Sequence, residues 1–251
     1  MIDRDSTKGK WETLRLYRRA WARHRIYFGF TGIPLHDKTR LDFPVTLFPQ
    51  SNVLIYRFPH NYHEKIKRGL RNENFLHHSM LTDCLGQTNK IDPTTIIALC
   101  LHPIYRTEEL SFDLFLRLLC HCFDNLPHSF RYAVAIHNEE FLLPDYFAAL
   151  RERNVTHVLH HAPGMPSLLE QSMTPHALST DCSIMIVKDL VEPETTLGII
   201  ETIRQCVEEQ KELRLYFSIP TKESVVSLLQ LMEMMNADLA KLSPVKQRYA
   251  A

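Results

Sequence analysis

RYAVAIHNEEFLLPDYFAALRERNVTHVLH, residues 131–160, is the stretch that decides the fold. It begins and ends with short apolar runs, 131–137 and 156–160, of the kind that form buried strands. Between them a helical pattern opens at Pro144 and stops at Asn154, and both residues are placed as helix ends prefer. A strand, a helix and a second strand in this order predict two parallel strands joined by a crossover helix.

The same unit recurs on both sides of this stretch. Further strand-like runs are found at residues 25–30, 52–58, 95–101, 182–188 and 213–218. Further helical patterns are found at residues 10–24, 111–123, 193–210 and 221–242. Because the strand-like runs are apolar rather than alternating, they are expected in a parallel sheet that is covered on both faces. This pattern predicts an α/β fold.

A parallel sheet of this kind either closes into a barrel or stays open as a doubly wound sheet. Up to eight strands can be counted if a weak run at residues 45–48 is included. The loop G-x-G-x-x-G, which opens many nucleotide-binding open sheets, does not occur in the sequence. We therefore predict a single-domain (β/α)8 TIM-barrel-like fold that is irregular in its first two strands and carries an extra N-terminal helix.

The N-terminal segment is set apart by its charge. Arg15, Arg18 and Arg19 share one face of a helical pattern, and Trp21 belongs to an apolar face. We predict a basic amphipathic helix within residues 1–24 and the barrel domain within residues 25–245. The helix could close one end of the barrel, contact the phosphates of a nucleic acid, or bind another partner or a membrane surface.

Composition places the chain among ordinary globular proteins. Lys and Arg together number 29, as do Asp and Glu, so no net charge attracts nucleic acid or anionic membranes over the whole molecule. The polar start and the lack of an 18-residue apolar run predict neither a signal peptide nor a membrane span. None of the six cysteines forms a C-x-x-C pair, so we expect buried free thiols and a cytoplasmic location with no membrane partner.

The segment FRYAVAIHNEEFL, residues 130–142, resembles the strand RYAVEIRN..WL of the YecE-like family, a domain of unknown function with a TIM-barrel-like fold. The similarity continues through residues 146–159 and 165–171. Weaker matches flank it at residues 27–32, 56–59 and 97–105. The resemblance implies a barrel whose polar residues lie at the carboxyl ends of the strands, where TIM-barrel enzymes place their sites.

Departures from the family pattern fall on those strand ends. The family's Glu is Ala135 here, its Arg is His137, its Gln is Leu101 and its Lys is Arg57, and its paired Asn residues are replaced near Ser218. Replacing Glu by Ala removes any acid or base role at that position. The resemblance therefore implies a divergent member with an altered or lost catalytic site, acting as a binding or regulatory module.

Histidines at predicted strand ends are the main chemical feature, because a barrel brings these ends to one rim. The candidate catalytic residues are His137, Glu140 and His160. The candidate binding residues for a small or phosphate-containing ligand are Arg57, His63, Asn138 and Lys188. The candidate ligands of a divalent metal are His102, His137, His160 and Asp189.

The binding module needs no cofactor. The alternative is a metal- or His-dependent hydrolase that acts on a phosphate-containing or nucleic-acid substrate, with a divalent metal as its cofactor. A further interpretation makes each histidine a separate polar strand end with its own hydrogen bond.

Overall fold

The structure is a computed structural model that describes residues 7–30, 53–57, 96–101, 111–162, 164–178, 180–187, 193–217 and 222–242. The chain divides into two compact units. The first unit comprises Met1–Ser51, Ser167–Ser172 and Met185–Ala251, and the second comprises Asn52–Pro166 and Met173–Ile184.

Strands and helices alternate through the described residues. The strands are β1 (Ile26–Phe30), β2 (Val53–Arg57), β3 (Ile96–Cys100), β4 (Arg131–Ala135), β5 (Thr156–His160), β6 (Cys182–Val187) and β7 (Glu212–Phe217). The α-helices are α1 (Thr7–Ala22), α2 (Phe112–Asp124), α3 (Pro144–Glu152), α4 (Leu168–Met173), α5 (Pro193–Glu208) and α6 (Lys222–Leu242). A 3-10 turn, Glu139–Phe141, follows β4.

In the first unit, β1 and β7 pair in parallel over their length, from Ile26 opposite Leu213 to Phe30 opposite Phe217. Helix α1 packs against β1 through Trp21, whose side chain is fully buried. The Trp21 ring meets Phe28 edge to face, with centroids 6.0 Å apart. The apolar face of the N-terminal helix is therefore part of the core of this unit.

In the second unit, β2, β3, β4 and β5 pair in parallel in chain order. The last residues of these strands are Arg57, Cys100, Ala135 and His160. Because the strands are parallel, their last residues share one edge of the sheet, which we call the carboxyl edge. Arg57 is opposite Cys100, and Cys100 is opposite Ala135, so these three residues lie in one row across the sheet.

Helices α2 and α3 are joined at their ends and by an aromatic cluster. The guanidinium of Arg153 donates to both carboxylate oxygens of Asp124, at 2.7 and 3.1 Å. The Phe115 ring stacks on Phe141 with centroids 4.6 Å apart and lies 6.5 Å from Tyr146. Tyr146 is thereby held on the side of α3 that contacts β5.

The structure confirms the α/β class and the parallel pairing of neighbouring strands. Closure into a (β/α)8 barrel stays a prediction, as does the division at residue 25, and the weak run at 45–48 lies outside the described residues. In the described part of the chain, no helix combines the length and the apolar character needed to cross a membrane.

The N-cap of α2 can be tested by substitution. Ser111 is its N-cap, and the Ser111 hydroxyl accepts a hydrogen bond from the backbone N–H of Leu114 at 3.3 Å. Ser111→Ala removes this acceptor, so we expect the free energy of unfolding to fall by about 1 kcal/mol in urea denaturation. Ser111→Asp keeps an acceptor and should match the wild type, and an equal loss in both variants would contradict the capping role.

Candidate functional site

The carboxyl edge of the second unit brings two of the predicted site residues together. Strands β4 and β5 pair with Ala133 opposite Thr156 and Val134 opposite His157. Continuing this register by three residues places residue 137 opposite residue 160. Nδ1 of His137 lies 3.3 Å from Nε2 of His160, and the ring centroids are 4.5 Å apart with the planes at 71°. We call these two residues the histidine pair.

A backbone carbonyl fixes the orientation of the His160 ring. Its Nδ1 lies 3.2 Å from the carbonyl oxygen of Val158. A carbonyl oxygen can only accept, so Nδ1 of His160 carries the hydrogen and, in the neutral ring, Nε2 offers a lone pair. Nδ1 of His137 is then the donor between the two rings. The result is a directed chain of hydrogen bonds from His137 through His160 to Val158.

The two members of the histidine pair differ in their exposure to solvent. His160 retains 3% of its accessible surface, whereas His137 is half-buried. The buried ring is therefore the anchored member, and His137 is the member that solvent or a ligand can approach.

Asn138 and Glu140 form a second contact beside the pair. The Asn138 side chain is 7% exposed, and its Nδ2 donates to Oε1 of the exposed Glu140 at 3.0 Å. The backbone N–H of Phe141 donates to the Asn138 carbonyl at 3.1 Å, which closes the 3-10 turn between them. Glu140, a predicted catalytic residue, is therefore seen orienting the Asn138 amide.

The other predicted site residues divide into those that can be placed and those that cannot. Arg57 is the last residue of β2, so its backbone lies at the same edge as the histidine pair. His63, His102, Lys188 and Asp189 lie outside the described residues. Among the residues that are described, no group of three or more His, Cys, Asp or Glu side chains could hold a metal ion.

A buried polar pair on the other face of β5 was missed by the sequence analysis. Nδ1 of His157 lies 3.0 Å from the Tyr146 hydroxyl, and both side chains are buried, at 3% and 0% exposure. Burial, and to a smaller extent the charge of His160, lowers the pKa of His157 to about 3, and burial raises the pKa of Tyr146 well above its ordinary value. Neutral His157 therefore accepts from the Tyr146 hydroxyl, and its Nε2 has no hydrogen-bond partner in the described structure.

The arginines of α1 show the expected exposure. Arg15, Arg19 and Arg23 are exposed on or just after this helix, and Arg18 is half-buried, with its pKa lowered by desolvation. Nothing in the structure tests a nucleic-acid partner, which stays a prediction.

Comparison with known proteins gives matches at the level of structure. No protein-family model and no curated protein matches the sequence. A DUF72 family protein from Thermotoga maritima is 13% identical, with 86% of each chain covered and a TM-score of 0.45. A DUF72 family protein from Enterococcus faecalis is 12% identical, with 87% of this chain and 92% of that chain covered and a TM-score of 0.44. The solved structures to which this chain is similar thus include proteins of the DUF72 family.

Proposed function

We propose that the chain is a binding module that holds a small phosphate-containing ligand at the carboxyl edge of the second unit. The contact between His137 and His160 carries this proposal, because it joins polar side chains from two strands at the edge where parallel sheets bind ligands.

The arrangement of the pair suits a ligand site. His160 is buried and fixed by the Val158 carbonyl, so its ring has one orientation. His137 is half-buried beside it and can therefore meet a ligand without a large rearrangement of the strands. Because the His160 ring is already fixed and holds the His137 ring beside it, little side-chain freedom is lost when a ligand binds, and this lowers the entropic cost of binding.

A phosphate group suits the residues along this edge. Arg57 is permanently charged, and its backbone ends β2 at the carboxyl edge, two strands from β4. With neighbouring strands about 4.8 Å apart, the backbones of Arg57 and Ala135 are about 10 Å apart along the row, which leaves room for a phosphate group between positions 57 and 137. Nδ1 of His137 and Nδ1 of His160 already donate within the hydrogen-bond chain, so His137 donates to a phosphate oxygen when its Nε2 also carries a proton, and the Asn138 amide adds a further donor.

Binding rather than catalysis is supported by two positions at the same edge. Ala135 is 1% exposed and Leu101 follows β3, where the YecE-like family has Glu and Gln. Neither side chain can transfer a proton. The chain therefore lacks, at these positions, the groups that the resemblance would assign to chemistry.

A His-dependent hydrolase is the second candidate, because the hydrogen-bond chain through His160 orients His137 as a general base. In that reaction His137 takes a proton from water, the water oxygen attacks phosphorus, the ester P–O bond breaks, and the leaving alcohol oxygen receives the proton from His137. Release of inorganic phosphate from glycerol phosphate distinguishes this candidate from binding alone.

Calorimetric titration with glycerol phosphate tests the binding module. We expect His137→Ala and His160→Ala each to weaken binding by about tenfold or more, because the first removes the ring that contacts the phosphate and the second removes the acceptor that orients that ring. His128→Ala is the control, since His128 is exposed and precedes β4 at the opposite end of the strand. Equal affinities of all three variants and the wild type, or no binding at millimolar ligand, would remove the proposal.

A further inference from the structure

We propose that the histidine pair is a binding site for one divalent transition-metal ion of the zinc class, with Nδ1 of His137 and Nε2 of His160 as its protein ligands. This goes beyond the binding module, because the ion would bind whether or not a phosphate-containing ligand follows it.

The distance between the two ring nitrogens carries the argument. Zinc holds imidazole nitrogens at about 2.0–2.1 Å in tetrahedral geometry, which sets two such nitrogens about 3.3–3.4 Å apart. Nδ1 of His137 and Nε2 of His160 are 3.3 Å apart. The two ring nitrogens are therefore already at the separation that a shared ion requires, and a rotation of the His137 ring would aim both lone pairs at it.

The surroundings of His160 are those of a metal ligand. Metal-bound histidines commonly donate their other ring N–H to a backbone carbonyl or a carboxylate, which fixes the ring and its tautomer. Nδ1 of His160 is held in this way by the Val158 carbonyl at 3.2 Å, so the lone pair is on Nε2, the atom that faces His137. Burial of His160 at 3% exposure keeps the ring in place when the ion is absent.

Metal binding requires one change of proton position. The hydrogen on Nδ1 of His137, which lies between the rings, leaves that atom, and Nε2 of His137 carries a hydrogen instead. Both imidazoles stay neutral, and each donates one lone pair to the ion. The same change removes Nε2 of His137 as a general base, so a bound ion and the His-dependent hydrolase exclude each other.

The expected metals follow from the ligands. Two imidazoles suit Zn²⁺, Cu²⁺ and Ni²⁺, and Cu²⁺ should bind most tightly of the three, whereas Mg²⁺ prefers oxygen ligands. Two imidazoles leave the remaining coordination positions of a tetrahedral ion for water or a phosphate oxygen.

The test uses the full chain after chelator treatment, in phosphate-free buffer, titrated with Zn²⁺ alone by calorimetry and with Co²⁺ by visible absorption. We expect one ion per chain in a site that His137→Ala and His160→Ala each weaken by about tenfold or more and His128→Ala leaves unchanged. The Co²⁺ spectrum of tetrahedral nitrogen coordination should disappear in the first two variants alone, which separates this site from any formed by other histidines or cysteines.

Two results would overturn the inference: no Zn²⁺ bound by the wild type, or the same stoichiometry and Co²⁺ spectrum in His137→Ala as in the wild type. His137 is half-buried, so this variant decides the matter if the buried His160 variant fails to fold. Glycerol phosphate is absent from the titration, so failure of the metal site and failure of the phosphate site are read separately.

Discussion

The free energy of unfolding should fall by about 2 kcal/mol between pH 7 and pH 5 through His157 alone. The pKa of His157 is about 3 in the folded protein, against an ordinary value of 6.5. The unfolded chain therefore binds a proton between these values that the folded protein does not bind. Stability from this group is fully present above pH 6.5 and is lost progressively as the pH falls toward 3.

The cause of this acid sensitivity lies in the surroundings of the His157 ring. The ring packs edge to face against Phe147, with centroids 5.2 Å apart, and receives the Tyr146 hydroxyl at Nδ1. A proton on His157 would place a charge in this desolvated pocket and displace the hydroxyl hydrogen from its acceptor. A positive charge on His160, on the same strand, would oppose that proton further and lowers the pKa of His157 by a smaller amount than burial does.

A double variant isolates the contribution of this pair. Tyr146→Phe with His157→Leu replaces both partners by apolar groups, so neither is left unsatisfied in the core. Urea denaturation of this variant should lose the part of the pH 7 to pH 5 slope that His157 supplies. His128→Leu, which removes an exposed histidine, should keep the wild-type slope. A double variant as acid-sensitive as the wild type would show that His157 titrates normally in the folded protein.

Element bounds were predictable because their signals are local. The run 156–160 coincides with β5, and the helix predicted to open at Pro144 opens there. That His137 and His160 lie near each other could also be predicted, since His160 ends β5 and His137 lies two residues beyond the end of β4, its parallel neighbour. Their atomic contact was not predictable, because it depends on the register of β4 against β5, which no local pattern sets.

The Tyr146–His157 contact shows where sequence reasoning stops. Alternation along a strand puts His157 and His160 on opposite faces of β5, so the sequence could have separated their roles. The partner of His157 could not be inferred, because Tyr146 reaches it only through the way in which α3 packs on β5.

Gly198 is the second feature that depends on packing, and its replacement should be strongly destabilising. Gly198 lies within α5, where glycine is a poor helix former. A Cβ at this position would lie 2.6 Å from the backbone nitrogen of Leu169 and 2.9 Å from Cβ of Leu168. Both atoms belong to α4, so α5 and α4 approach more closely than any side chain allows. An isolated glycine inside a helical pattern is a sequence signal for such an approach.

Gly198→Ala should lower the free energy of unfolding by about 1–2 kcal/mol, because overlap with the α4 backbone outweighs the gain of about 1 kcal/mol in helix propensity. Gly198→Val should cost at least about 3 kcal/mol, since its two methyl groups extend further into α4 and valine is a weaker helix former. At about 2–4 °C per kcal/mol, the valine variant should melt at least about 6 °C below the wild type. Leu197→Ala is the matched control, because Leu197 is the preceding residue of α5 and is 56% exposed, so its free energy of unfolding should stay within about 0.5 kcal/mol of the wild type.

A Gly198→Ala variant as stable as the wild type would contradict this prediction. It would mean that the gain in helix propensity outweighs the overlap and that α5 does not lie this close to α4.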